Sequence, residues 1–214
     1  MKIIAISDTH MMHHKLKMPK GDVLVVAGDV LNHGTEREAL MFNDWLGTLK
    51  YKHKIVVPSN HDIYAEIDPV GFKMALSNAK VLMHEGLIVE GVKIFGMPWT
   101  PTFGCWAFMY DRHSDFSKQL INKIPSDADI LVSHGPAYGN GLGETIRGDD
   151  AGCQQLSDRM RDMKKLKAHI CGHIHHGRGI VEMGSIKCYN ATVVDEQYRV
   201  VYEPMVIKYG QKKA

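Results

Sequence analysis

Short apolar runs that stop abruptly at polar residues recur along the chain. Residues 2–6 (Lys-Ile-Ile-Ala-Ile), 23–27 (Val-Leu-Val-Val-Ala), 53–57, 129–132 and 167–170 are too short for stable helices and predict strands. The unbroken apolar character of 23–27 predicts a strand covered on both faces. Residues 36–49 carry an apolar stripe (Leu40, Phe42, Trp45, Leu46, Leu49) at helical spacing, with Thr35 placed to cap it and Trp45 in the core. Residues 69–77, 116–124 and 153–166 read as further helices, the last with a basic, solvated face of Arg159, Arg161, Lys164 and Lys165. Shorter strands are expected at 81–82, 87–89 and 92–95, the last two joined in hairpin style by Glu90-Gly91. Residues 179–183, 186–190 and 200–202 predict the closing strands.

Three stretches resist this pattern. Residues 11–20 form a mixed loop or short helix, with His13 and His14 expected in solvent. Residues 96–112 include two prolines, two tryptophans and two phenylalanines within 97–108, too irregular for one element. Such a segment suits either a lid over a site or an aromatic plug at the domain edge. Residues 138–150 are glycine-rich and read as an exposed loop.

The polar residues that end the five main strands carry the chemistry. They are Asp8 with His10, Gly28-Asp29, Asn60-His61, His134, and His173 with His175. A spacing of two puts both side chains of Asp8/His10, and of His173/His175, on one face of extended backbone. Singly, each has a plain structural reading: Asp8 as a helix cap, Asn60 in an Asx turn, the histidines in a surface turn. In α/β sheets, however, ligands bind at the carboxyl ends of strands, so the five loops can converge. Pooled, they offer two Asp, one Asn and four His as ligands, with His61 left over. That is too many for one ion and suits two divalent ions sharing a carboxylate. A His/Asp/Asn set without thiolate favours Mn²⁺, Fe or Zn²⁺ and counts against plain Mg²⁺.

Composition narrows the setting. A chain of 214 residues fits one domain spanning 1–214. A net charge of +2 gives no reason to invoke nucleic acid or a membrane surface. Four cysteines (Cys105, Cys153, Cys171, Cys188) show no paired spacing, and no apolar stretch reads as a leader or membrane span. A reducing, cytoplasmic setting is the expectation, with Cys171 a small buried hydrophobe rather than a ligand.

Taken together, Asp8-x-His10, Gly28-Asp29, Asn60-His61-Asp62, His134-Gly135 and Gly172-His173-x-His175 resemble the signature of the calcineurin-like metallophosphoesterases. Phe42-Asn43-Asp44-Trp45-Leu46-Gly47, Pro98-Trp99, Trp106-Ala107-Phe108, His134-Gly135-Pro136 and Tyr189-Asn190-Ala191 resemble the MPPED-type members more narrowly. The resemblance implies an α/β fold, a four-layer α/β/β/α sandwich with two central mixed β-sheets. It implies Asp8, His10, Asp29 and His175 around one metal, and Asp29, Asn60, His134 and His173 around the other. Asp29 would bridge, and His61, supported by Asp62, would protonate the leaving group. Relatives of this type act on phosphodiesters, including cyclic nucleotides, through a metal-bridging hydroxide, and can bind nucleoside monophosphates.

The expected activity is hydrolysis of small nucleotide phosphodiesters with two ions, manganese first among them. Trp99, Trp106 and His176 are candidates to line the substrate pocket. Phosphomonoesterase or protein phosphatase activity is the alternative, against which stands the lack of extra arginines to clamp a dianion. A nuclease is disfavoured by the near-neutral charge. A weakly active nucleotide-binding scaffold also fits, because Ser59 stands where the resembling loop usually has glycine. If that position needs a positive φ, the serine strains the loop that aims Asn60 and His61. His173, lost in some MPPED-type relatives, is retained and favours a competent two-metal centre.

Overall fold

The computed structural model describes residues 1–210. In chain order it runs β1 (Lys2–Ile6), β2 (Val23–Ala27), α1 (Glu36–Thr48), β3 (His53–Val57), α2 (Ile63–Ile67), α3 (Pro69–Ala75), β4 (Lys80–Val81), β5 (Glu85–Val89) and β6 (Val92–Met97). It continues with β7 (Thr100–Pro101), β8 (Met109–Tyr110), α4 (Asp115–Asn122), β9 (Ile130–Ser133) and α5 (Gln154–Asp162). The last elements are β10 (Ala168–Cys171), β11 (Gly179–Met183), β12 (Ile186–Asn190) and β13 (Met205–Lys208). One sheet has the order β13-β1-β2-β3-β4 and the other β11-β12-β10-β9-β6-β5, with β7-β8 a separate pair.

Side-chain alternation along the strands divides the core into three slabs. Ile4, Ile6, Leu24, Val26 and Val56 face outward from the first sheet and bury Phe42 and Leu46 of α1 and Phe72 of α3. Ile3, Ala5, Val25 and Ile55 face the other way, onto Ile94, Ile130, Val132 and Ile170 of the second sheet. Beyond that sheet, Phe95, Leu131, Cys171 and Cys188 pack against Leu120 and Ile121 of α4 and Leu156 and Met160 of α5. The result is the expected four-layer α/β/β/α sandwich. Both sheets are mixed, because β13 and β1 pair antiparallel in the first, and β11–β12 and β5–β6 do so in the second. Helix α1 begins at the predicted cap: the Glu38 N–H donates to Thr35 Oγ1 and the Thr35 N–H donates back to Glu38, closing a capping box.

Several expectations are corrected. Residues 200–202 are not a strand; Val200 makes only an isolated bridge to Val194, and the edge strand is β13. Its signal is a period of two, with Met205 and Ile207 buried and Val206 and Lys208 exposed. His13 is buried rather than solvated, its ring 5.1 Å from that of Phe42 and 5.0 Å from Trp45, and burial pushes its pKa down to about 4. Helix α2 was not anticipated, being too short to show periodicity, and the aromatic stretch 96–112 contains β7 and β8. Helix α5 stops at Asp162, short of the expected 166. No helix among the described residues is long and apolar enough to cross a membrane.

Strands β1, β2 and β3 run parallel, as do β9 and β10, so their carboxyl ends gather along one edge. There the sheets are stitched together. The Ser7 N–H donates to the Ala191 carbonyl (2.9 Å) and the Val193 N–H to the Ser7 carbonyl (3.1 Å), while the Gly172 N–H to the His134 carbonyl (2.9 Å) extends the β9–β10 pairing within the second sheet. Gly172 has no room for a side chain, since a Cβ would collide with Ser7 Oγ and the Asp8 carboxylate.

The correction at the chain's last strand is testable. Ile207→Ala, which empties space between the sheets, should cost about 2–5 kcal/mol. Val201→Ala, 51% exposed in the segment first read as strand, should cost under about 0.5 kcal/mol. Denaturant unfolding measures both, and equal costs would overturn the assignment.

Candidate metal centre

Each predicted ligand sits just beyond a strand: Asp8 and His10 after β1, Asp29 after β2, Asn60 after β3, His134 after β9, His173 and His175 after β10. The strand ends converge them into groups whose ligand atoms lie within 4.8 Å of one another: Asp8/His10/His175 and Asp29/His134/His173. A third group, His10/Asp29/His61, overlaps both. The loops are strained to achieve this. Asp8 (φ 57°), His10 (φ 39°), Asp29 (φ 52°) and His173 (φ 69°) are non-glycine residues in the left-handed region, at a cost of order 1 kcal/mol each. Ser59 is not among them, so the feared strain at that position does not exist.

Hydrogen bonds aim the ligand atoms. Nδ1 of His134 donates to the Ala27 carbonyl (2.7 Å), and Nδ1 of His175 to the Asp195 carbonyl (3.0 Å), which leaves both Nε2 atoms facing inward. Asp8 accepts the His173 N–H on both oxygens (3.0 and 3.1 Å). Asp29 receives the Ser59 hydroxyl and the His61 N–H (2.9 Å) on Oδ1, while Oδ2 faces Asn60 Nδ2 and His134 Nε2, each at 3.2 Å. Both ring nitrogens of His10, Oδ1 of Asn60 and Nε2 of His134 are buried with no hydrogen-bond partner. Unpartnered buried polar atoms are costly, and those on three neighbouring side chains beside two carboxylates fit cations in the space between them.

Electrostatics prepare the same state. Burial alone would raise the Asp8 carboxyl, but a hydrogen bond from His175 and the charges of His134 and His175 outweigh it and leave the pKa at about 2. Asp29 is likewise held well below the usual carboxylate range, burial being overcome by His134. Against the pull of burial, Asp29 and then Asp8 raise His134 to about 9. Burial drives His10 to about 4, and burial with the His134 charge takes His173 to about 3. Two anionic carboxylates and two neutral imidazoles therefore stand ready, and His134 carries the proton that a metal would displace.

A cleft of about 150 Å³ opens over these atoms, lined by His10, Asp29, Asn60, His61, His173 and His175 with Phe103, Glu196 and Tyr198. His61 is oriented by its Nδ1 donating to the Asn32 carbonyl (2.9 Å). Asp62 does not support it directly. That carboxylate accepts the N–H groups of Val30 (3.1 Å), Leu31 (2.9 Å) and Ser59 (2.8 Å), and so fixes the loop rather than the ring. Trp106 stacks on His61, centroids 4.3 Å apart. Trp99 packs instead against Phe108 and Phe116, outside the cleft lining, and the exposed His176 ties its N–H to Glu196 (2.8 Å). Sequence reasoning missed Phe103, Glu196 and Tyr198. Phe103 lay in a stretch already marked as aromatic, whereas Glu196 and Tyr198 sit in a turn with no motif. A larger cavity of about 500 Å³, near Met1, Asp22 and Lys52, contains none of the ligand groups.

The displaced proton gives a prediction. His134 lies above its ordinary value, so its pairing stabilises the metal-free fold fully below pH 6.5 and is lost as pH rises through about 9. Metal binding near neutral pH should release about one proton, with affinity rising until His134 deprotonates. Calorimetry in buffers of different ionisation enthalpy reads this directly; zero release at neutral pH would contradict it.

Comparison with known proteins places these features. The model of the calcineurin-like phosphoesterase family matches residues 1–177. The chain is 31% identical to human metallophosphoesterase domain-containing protein 1, over 96% of its own length and 70% of that protein. It is 31% identical to a UPF0046 protein of Caenorhabditis elegans, over 96% of its length and 79% of the relative. A probable glycerophosphodiester phosphodiesterase of Arcobacter nitrofigilis is more distant, at 22% identity over 77% of this chain and 60% of that protein. In fold, the crystal structure of TT1561 of Thermus thermophilus superposes with a TM-score of 0.61 at 12% identity, covering 88% of each chain. With its ligand loops closing the strands of such a sandwich, the chain belongs to the calcineurin-like phosphoesterase family, whose members are metal-dependent phosphoesterases.

Proposed function

We propose that the protein is a phosphodiesterase for small nucleotide diesters, using two divalent ions, manganese foremost. One ion is assigned to Asp8, His10, Asp29 and His175, and the other to Asp29, Asn60, His134 and His173. The observation that carries the reading is the pair of adjacent ligand groups, Asp8/His10/His175 and Asp29/His134/His173, with Asp29 Oδ2 turned toward Asn60 and His134. When bound, the ions would activate water and neutralise charge on the phosphate.

The chain's own residues support the choice of ester. No lysine or arginine among the described residues lines the cleft, and Glu196 is part of its lining. A dianionic monoester would lack a cationic clamp there and meet a carboxylate, whereas a monoanionic diester is penalised less. Phe103 lies over His173 (4.8 Å) and Tyr198 abuts His10 (4.6 Å), which gives the cleft aromatic walls suited to a planar base, while Trp106 stacks on His61 (4.3 Å) outside the lining. Nδ1 of His61 is committed to the Asn32 carbonyl, so Nε2 is the atom left to pass a proton to the leaving oxygen. The diester activity in the Arcobacter relative's name agrees with this reading. Free thiols at Cys105, Cys153, Cys171 and Cys188 agree with a cytoplasmic setting.

One observation favours a second reading, a nucleotide-binding protein with slow turnover. The Trp106 ring stacks on His61 and restricts the movement of the acid. Hydrolysis assays separate the two. With Mn²⁺, bis(p-nitrophenyl) phosphate should be cleaved in preference to p-nitrophenyl phosphate, and not at all after chelation. His61→Ala should lower kcat by about 10²–10⁴-fold with metal content unchanged. A monoester preference would reject the diesterase; metal binding without turnover of either ester would favour the slow binder. Glu196→Gln should raise the monoester rate relative to the diester, and an unchanged ratio would remove Glu196 from the selectivity argument.

A further inference from the structure

Ser59 is fully buried between the strand-end loops of β2 and β3. Its hydroxyl donates to Asp29 Oδ1 and accepts the Asp29 backbone N–H (2.9 Å). Its own N–H donates to Asp62 Oδ2 (2.8 Å), and its carbonyl accepts the Asp62 N–H (2.8 Å). The space the hydroxyl occupies exists because residue 28 is glycine: a Cβ there would lie 2.5 Å from Ser59 Oγ and 2.5 Å from His134 Nδ1. Gly28 and Ser59 are therefore matched across the site. With the hydroxyl and the His61 N–H both on Oδ1, only Oδ2 of Asp29 is left toward Asn60 and His134.

We propose that Ser59 is a positioning residue, whose hydroxyl locks the Asp29 carboxylate so that one oxygen serves the metals and thereby strengthens retention of the second ion. This rests on the two-ion reading above. A glycine here would fit the ordinary backbone of residue 59 but would strip Oδ1 of one donor and leave the buried Asp29 N–H without its acceptor. Outer hydrogen bonds to ligands are typically worth about 10–100-fold in metal affinity. The serine is thus a gain to the site, opposite to the strain first expected of it.

The test is Mn²⁺ titration by calorimetry of the wild type and of Ser59→Ala, Ser59→Gly and Ser59→Thr. Low-temperature electron paramagnetic resonance follows the spin-coupled ion pair, and the unfolding midpoint of each metal-free protein is measured in parallel. Ser59→Ala and Ser59→Gly should hold the second ion about 10–100-fold more weakly and lose the coupled signal. Ser59→Thr, which keeps the hydroxyl, should restore both. The proposal is overturned if Ser59→Ala and Ser59→Gly bind the second ion like the wild type, or if Ser59→Thr fails to reverse their loss. A wild type that binds fewer than two ions would instead bring down the two-ion reading itself, and this proposal with it.

Discussion

Two carboxylates taken out of water, Asp8 and Asp29, govern this end of the molecule. Buried anions are tolerated only when paired and hydrogen-bonded, and each of these is compensated by both means. Asp8 takes the His173 N–H on two oxygens, and Asp29 takes the Ser59 hydroxyl and the His61 N–H, while His134 and His175 supply opposing charge. Without such compensation the two like charges would drive the loops apart. With it they hold a geometry that leaves the neutral His10 imidazole and the Asn60 amide oxygen unpartnered in the same space. The positive φ of Asp8, His10, Asp29 and His173 is the backbone strain that the packed sheets beneath sustain.

The sandwich explains why those loops can be held so tightly. Strand ends from both sheets meet at one edge, and backbone hydrogen bonds from Ser7 to Ala191 and from Val193 to Ser7 cross between them. Loops anchored on two packed sheets hold side chains more rigidly than loops projecting from one. The turn containing Asp195 adds a contribution from late in the chain. Its carbonyl sets the tautomer of His175, and the same turn delivers Tyr198 to His10.

Much of this is legible in the sequence itself. The apolar runs gave β1, β2 and β3 at their observed bounds, because their buried stretches (3–6, 23–27 and 55–57) are unbroken apolar runs. That Asp8, His10 and His175, and Asp29, His134 and His173, come together was readable because each sits at a strand end, a local constraint. What escaped was set by distant contacts. His13 is buried by Phe42 and Trp45, far from it in sequence, and β13 is recruited by pairing with β1 across almost the whole chain. Tyr198 and Glu196 reach the cleft through a turn of ordinary composition. Ser59 was misjudged because a missing glycine was visible in sequence, whereas the hydroxyl's partners on Asp29 were not.

The central claim is that Asp29 stands between two ions. The most direct test is anomalous diffraction at the manganese edge from crystals grown with Mn²⁺. The account predicts two peaks, one among Asp8, His10 and His175 and one among Asn60, His134 and His173, with the Asp29 carboxylate touching both. A single peak, or an ion held by His61 in place of either set, would contradict it.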